Sequence, residues 1–403
     1  MTLSATPKVR IQSIDVVRGL AMVIMALDHA RDFFHRADLG KAADAAMNPT
    51  NMETTYPLLF FTRWVTHFCA PIFVFLAGTS IYLMSQRKSK KELSSFLFKR
   101  GIWLLILEVT IVSLGWTYNP FYNVIILQVI WAIGISMIIL GLLIHLPYKL
   151  IFAIGLIIVV GHNLMDFPSI VGALHGGTLS ELIYFADFSI ISFAPDHIAI
   201  IVYSFLPWTG VMLLGFCFGK LFENEVASKQ RIKTLYRMGL SALGFFVLLR
   251  LSNFYGDPSP WASQSRGFVY TFLSFLNVTK YPPSLLFLSM TLGTGMIALA
   301  FIERIQNKFT GIMAIFGRVA MLYYVLHLYL IHLLGVVVFY AQGFGSADIS
   351  SPNNPFFFKP NGFGFGLWGV YLVWIVVVLL LFPVCKKYDG YKSSHRHWWL
   401  SYL

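Results

Sequence analysis

The segment SIDVVRGLAMVIMALDHARDFF, Ser13 to Phe34, places Asp15, Arg18, Asp28, His29, Arg31 and Asp32 in an otherwise apolar, helix-length run. At 100° per residue, positions eleven apart differ by only about 20° in azimuth and roughly 16 Å in height. Arg18 and His29 therefore share one helix face, with Met22 and Met25 filling the stripe between them. Asp15, three residues before Arg18, is within pairing reach and is either half of a structural ion pair or part of a working site. Asp32, at i+3 from His29, is better placed to orient its ring than the adjacent Asp28, which stands about 100° away and three residues before Arg31. An imidazole with one nitrogen held and the other free is what a general base requires. His29, Asp32 and Asp28 are thus the catalytic candidates, and a packed, merely satisfied histidine is the bland alternative.

Other polar residues lie in apolar runs. YPLLFFTRWVTHFCAPIFVFLAGTSI adds Arg63 and His67, with Pro71 predicting a kink and Gly78 a close helix approach. FGRVAMLYYVLHLYLIH carries Arg318, His327 and His332. Read as one helix, it sets Arg318 and His332 within about 40° of one face, whereas His327 and His332 diverge by about 140° and cannot aim at one point. Gln128 is the one strongly hydrogen-bonding side chain deep in NVIILQVIWAIG, and LPWTGVMLLGFCFG holds Trp208 beside the helix-breaking Pro207 and three small glycines. Asp15, Arg18, His67, Gln128, Trp208, Arg318, His327 and His332 form the candidate binding set. His29, His67, His327 and His332 gather at one depth, with His162 and His197 at its edge, which raises a metal or haem. No HxxxH pair shares a helix face, however, and there is no glycine-rich phosphate loop, serine elbow or nucleotide fingerprint. No bound metal is expected.

The elements that must position these groups are membrane helices. The 403 residues are 57% hydrophobic and 12% charged, where a soluble domain carries roughly 25% charged residues. Mean hydropathy is +0.70. Windows near 20 residues give ten candidate spans: 11–34, 57–85, 95–117, 121–146, 148–165, 197–220, 234–252, 281–303, 311–340 and 364–385. Most of the 30 Lys and Arg fall in loops on one side, RKSKK at 87–91 and KQRIK at 229–233 among them. By the positive-inside rule both termini are cytoplasmic. The +12 net charge is thereby a topology signal, and no nucleic-acid partner is expected. The first run carries Asp15 and Arg18 and no small-residue cleavage site, so no cleaved leader is expected. Cys69, Cys217 and Cys385 sit in apolar runs and predict no disulfide. The expected fold is an all-α polytopic membrane protein: residues 1–10 cytoplasmic, 11–385 a single transmembrane domain without internal repeat, and 386–403 a basic cytoplasmic tail.

Six stretches in order, IDVVRGLAMVIMALDHARDFF, FCAPIFVFLAGTS, IILQVIWAIG, LPWTGVMLLGFCFG, KYPPSLLFLSMTLG and FGRVAMLYYVLHLYLIH, resemble the bacterial branch of the membrane acyltransferases related to lysosomal heparan-α-glucosaminide N-acetyltransferase. The resemblance runs over roughly residues 11 to 385. The first helix is also similar to the start of the broader acyltransferase-3 family, where an Arg and a His with the same separation serve catalysis; Arg18 and His29 are the matching positions. The resemblance implies transfer of an acyl group, typically acetyl from cytoplasmic acetyl-CoA, to a sugar on the far side, with a histidine as base or transient acyl carrier. Acetyl-CoA is then a co-substrate, and no permanently bound cofactor is implied. The lysosomal enzyme has Asn where this sequence has His29, and a histidine nearer the following loop. The base is therefore His29, His35 or His67, the last standing where that enzyme has an acid.

On physical grounds Arg18 could hold a phosphate or pantetheine amide of CoA while His29 meets the thioester, with Gln128, Arg318 or backbone donors facing the oxyanion. The loop 165–196 has no Lys or Arg, which favours a neutral or cationic acceptor, such as an envelope glycan or small sugar outside a bacterial cytoplasmic membrane. A homodimer is compatible with the sequence. Two rival readings are a secondary transporter coupled through Asp15 and Arg18, and a haem- or metal-binding membrane subunit.

Overall fold

The computed structural model describes residues 11–36, 48–350, 356–395 and 397–401. The expected N-terminal segment 1–10, and parts of the 35–56 loop, the 341–363 loop and the tail, lie outside the described residues.

The helices in chain order are α1 (Gln12–Phe34), α2 (Pro57–Thr66), α3 (Cys69–Ser85), α4 (Lys90–Leu107) and α5 (Ser113–Thr117), the last two joined by a π-helical turn at Glu108–Val112. Then come β1 (Val124–Leu127), α6 (Val129–Leu143), α7 (Tyr148–Gly161), β2 (Ser189–Ala194), β3 (His197–Ile201) and α8 (Phe205–Phe218). The chain continues with α9 (Ser228–Ser252), α10 (Phe268–Leu276), α11 (Leu285–Ile302), α12 (Lys308–Arg318), α13 (Ala320–Ala341) and α14 (Leu367–Ser394). Among the described residues, seven helical stretches are long and apolar enough to cross a membrane. The charges of α1 keep it out of that group, yet it is largely buried, packed among α2, α3, α11, α12, α13 and α14.

An all-α expectation needs correcting in two places. The runs at 121–146 and 197–220 begin as strands, because β1 pairs in parallel with β3 and β3 antiparallel with β2 to make a three-stranded sheet. Their β-branched residues, VII and HIAII, satisfy backbone groups across strands before each chain turns into a helix. The runs at 57–85 and 311–340 each divide in two. Pro71 has no N–H to offer the carbonyl four residues back, and the break falls there, at His67–Phe68, as the predicted kink requires. The second break is at Val319 (φ −114°, ψ 30°). At the other end, α14 runs through the expected domain boundary at 385 to Ser394. The three cysteines are free and buried.

Two close crossings fix the helices around α1. A Cβ on Gly19 would lie 1.8 Å from the Met313 carbonyl oxygen, and one on Gly317 would lie 1.9 Å from that of Asp15. Only hydrogen fits at either position, so α1 and α12 meet backbone to backbone beside Arg18. Gly78 and Gly215 do the same for α3 and α8, with Cβ positions 2.2 and 2.1 Å from the Met212 and Phe75 oxygens. That is the close approach expected of Gly78.

Candidate active site

A cavity of about 870 Å³ opens between α1, α3, α4, α6 and α13. This lies toward the upper end of the ~300–1,000 Å³ usual for small-molecule sites. Its mouth is basic, with Arg18, Arg87, Lys88, Arg100, Arg318 and Lys392 on the lining against a single carboxylate, Asp15. Further in, the wall becomes apolar through Met22, Met25, Ile81, Ile133 and Met137, and Tyr324 stands at the inner end. The stripe from Arg18 past Met22 and Met25 expected from the sequence is thus one wall of a cavity.

At the mouth, Arg18 donates to Ser80 Oγ at 2.7 Å and pairs with Asp15 at 3.4 Å, as the i,i+3 spacing predicts. A third contact, to the Gly317 carbonyl at 3.4 Å, ties it to the glycine crossing. Arg318 does not share a face with His332. The break at Val319 places it at the end of α12, where it forms a two-point ion pair with Asp389 at 2.7 and 2.5 Å. It lines the same end of the cavity as Asp15, about 21 Å along α1 from His29, and that distance corrects its assignment to the oxyanion.

At the head, His29 is 7% exposed and its Nδ1 lies 2.7 Å from Nε2 of His327. The rings are near-parallel with centroids 4.9 Å apart. His327 Nδ1 is 2.9 Å from the Tyr323 carbonyl oxygen, which can only accept. In the neutral pair, His327 therefore carries its proton on Nδ1 and accepts at Nε2, and His29 donates from Nδ1. The lone pair of His29 is left on Nε2, the state a base needs. The expected carboxylate partner is replaced by a second histidine. Asp32 turns to Arg31 at 2.5 Å, and Asp28 bridges Arg31, at 3.2 Å, and Arg63. Two imidazole nitrogens on one tetrahedral metal ion would stand about 3.3 Å apart, so the 2.7 Å contact is a hydrogen bond. Among the described residues, no three His, Cys, Asp or Glu side chains converge as a metal site.

The other candidates scatter. His332 holds the Gly115 and Phe357 carbonyls at 3.2 and 3.0 Å and stacks on Tyr118 at 3.6 Å, so it braces the helix ends while His327 faces the site, the divergence the spacing predicted. His67 is buried edge-on to Phe287 at the α2–α3 break, and its Nδ1 has no partner. His162 bonds the Ile158 and Pro283 carbonyls, and His197 is exposed at the start of β3. The backbone N–H of His35 closes α1 onto the Arg31 carbonyl at 2.9 Å. Gln128 is not deep in a span. It precedes α6, and its backbone N–H donates to Glu108 Oε1 at 2.5 Å. Trp208 is fully buried against Tyr203, with ring centroids 5.2 Å apart, and is not on the cavity wall.

Residues that the sequence reading passed over stand around the histidine pair. Trp116 stands edge-on to His29 at 4.8 Å and Tyr324 at 6.4 Å. Glu108 is fully buried in the π turn, with Oε2 unpartnered. Its signal was there to read, as the single charged residue in GIWLLILEVTIVSLGWT. Around Asp28 and Asp32 stand Arg31, Arg63, Lys280 and Lys359. Positive charge therefore borders the far side of His29, although the loop 165–196 has none. Burial pushes the Lys359 ammonium below its ordinary value, against the pull of Asp32.

The chain is thus a mostly helical membrane protein whose basic-mouthed cavity ends at Tyr324, in ring contact with the His29–His327 pair. The chain belongs to the family described as heparan-alpha-glucosaminide N-acetyltransferase, catalytic, whose model matches residues 10–249. It is accordingly a membrane acetyltransferase in general terms. The matched region includes Arg18, His29 and Glu108 and ends before Tyr324 and His327. No curated protein matches the chain.

Proposed function

We propose that this protein takes acetyl from acetyl-CoA entering at the basic end and passes it to a hydroxyl or amine of a sugar arriving from the loop end, with His29 as the base. The chain then crosses a bacterial cytoplasmic membrane about ten times with both termini inside. The observation that carries this reading is the continuity from Arg18 to Tyr324 along one cavity, with the Tyr324 ring standing between its wall and the ring of His29, 6.4 Å away.

CoA is a polyanion with a long, weakly polar arm. Its phosphates suit the cationic mouth, where Arg18 is already held by Ser80 and Asp15. Its arm suits the methionine-lined wall, and roughly 16 Å of α1 separates Arg18 from His29. His29 Nε2 removes the acceptor proton as the acceptor oxygen or nitrogen bonds to the thioester carbon. The C–S bond then breaks, and the CoA thiolate takes that proton from the imidazolium. His327 keeps the ring in the tautomer this sequence needs, as the third member of a triad does elsewhere. Asp28 and Asp32 hold the loop-end walls through their arginines and do not touch the base.

The test uses purified protein in proteoliposomes with acetyl-CoA and glucosamine or short envelope glycans, reading CoA thiol release and acetylated sugar together. Wild type releases thiol in step with product and His29→Ala does not, at equal thermal midpoint. A His29→Ala protein at full rate would remove His29 from the base position. Solute flux without any CoA requirement would instead establish the transporter.

A further inference from the structure

We infer that the Tyr324 hydroxyl donates the hydrogen bond that holds the thioester carbonyl oxygen as it takes on negative charge; this rests on acyl transfer at His29 proposed above. Tyr324 is 4% exposed and its hydroxyl has no hydrogen-bond partner. A buried hydroxyl left this way is a standing cost, and native proteins keep few of them without a use. Tyr324 lines the cavity, and its ring is edge-on to both His29, at 6.4 Å, and His327, at 5.6 Å. Among the described residues, no other on that wall contacts the histidine pair through its ring.

The surroundings direct the phenol toward a ligand. The Trp116 indole N–H approaches the Tyr324 oxygen without closing a well-formed hydrogen bond, so what Tyr324 has to offer is its own O–H. Glu108 lies within electrostatic reach, one oxygen committed to the Gln128 N–H and the other without a partner. Neither of the donors expected from the sequence competes. The Arg318 guanidinium is engaged by Asp389 at the mouth, and Gln128 contributes its backbone rather than its side chain.

In the step itself, the acceptor atom bonds to the acyl carbon while the carbonyl π pair moves onto oxygen. That oxygen receives the Tyr324 O–H. When the pair returns, the C–S bond breaks and sulfur leaves as the thiolate that His29 protonates. No oxidant, metal or further co-reactant enters. A neutral donor of this kind strengthens as charge builds on the oxygen, which places its effect in the transition state and not in binding.

The variant is Tyr324→Phe. Because the hydroxyl has no native partner, its removal leaves nothing unpaired, and the thermal midpoint should hold or rise. The KM for acetyl-CoA should stay near wild type while kcat falls by roughly 10²- to 10³-fold, the effect of losing one oxyanion donor. A structural role for the hydroxyl would instead lower midpoint and activity together, and that result overturns the assignment. So does full turnover by Tyr324→Phe beside an inactive His29→Ala, which leaves the base in place. Wild-type protein inert towards acetyl-CoA overturns the acyltransferase reading, and the assignment with it.

Discussion

His29 Nδ1 lies 2.7 Å from His327 Nε2, and the two residues come from helices 298 positions apart in sequence. Because His327 Nδ1 faces the Tyr323 carbonyl, the pair has one arrangement of protons when neutral, with the free lone pair on His29. The partner histidine therefore sets the tautomer of the proposed base.

It follows that His327→Phe, which keeps the ring volume but removes the acceptor, should lower kcat by roughly 10²- to 10⁴-fold, the range for a lost general base. His327→Gln can still accept from His29 through its amide oxygen and should retain more activity than the Phe variant. Steady-state rates with acetyl-CoA compare the two. Equal rates in both variants would reduce His327 to a packing residue.

Arg18 has two readings, lock and ligand. As a CoA contact, Arg18→Gln should raise the KM for acetyl-CoA by roughly 10- to 100-fold, the value of about 1.5–3 kcal/mol for a hydrogen bond to a charged group, with kcat nearly unchanged. Asp15→Asn is the control, since it breaks the same 3.4 Å ion pair but leaves the cation in place. Should Arg18→Gln lose thermal midpoint and keep its KM, the pair is a helix lock.

The sequence made the α1 stripe legible because a single unbroken helix converts spacing directly into geometry: Arg18, Met22, Met25 and His29 fall where 100° per residue puts them. The same arithmetic failed for Arg318 and His332, because Val319 divides the run and angles do not carry across a break. Asp32 failed for a different reason. Spacing can show that a carboxylate reaches His29, but not that Arg31 next to it reaches the carboxylate first. The His29–His327 pair was out of reach altogether, since α1 and α13 meet only through the fold. Two of the three strands, β1 and β3, hid inside apolar runs whose composition suits a strand as well as a membrane helix.

The glycine crossing beside Arg18 gives a stability prediction with an internal control. In Gly317→Ala the new methyl would sit 1.9 Å from the Asp15 carbonyl oxygen, and backbone cannot step aside as a side chain can. A cost of about 1–3 kcal/mol or more is expected, as for other overpacked sites. Gly311→Ala, in the same helix with nothing within 4 Å of its Cβ, should be neutral or gain up to about 1 kcal/mol from helix propensity. Thermal midpoints in detergent measure both. Equal midpoints for the two variants would mean that α1 and α12 part easily.

Asp28 separates structure from catalysis most sharply. It stands next to the base in sequence, yet its oxygens go to Arg31 and Arg63, and none of its hydrogen bonds is to His29. With the side chain 9% exposed, Asp28→Asn withdraws the counter-charge of a buried guanidinium, and such a loss costs about 3–5 kcal/mol. The variant should therefore melt earlier, and what remains folded should still turn over. Asp28→Asn/Arg63→Gln removes both partners and should recover much of the midpoint, because the Arg63 charge that Asp28→Asn strands is then gone. An Asp28→Asn protein that keeps its midpoint and loses its rate would make Asp28 a working partner of His29, and the histidine pair alone would no longer account for the base.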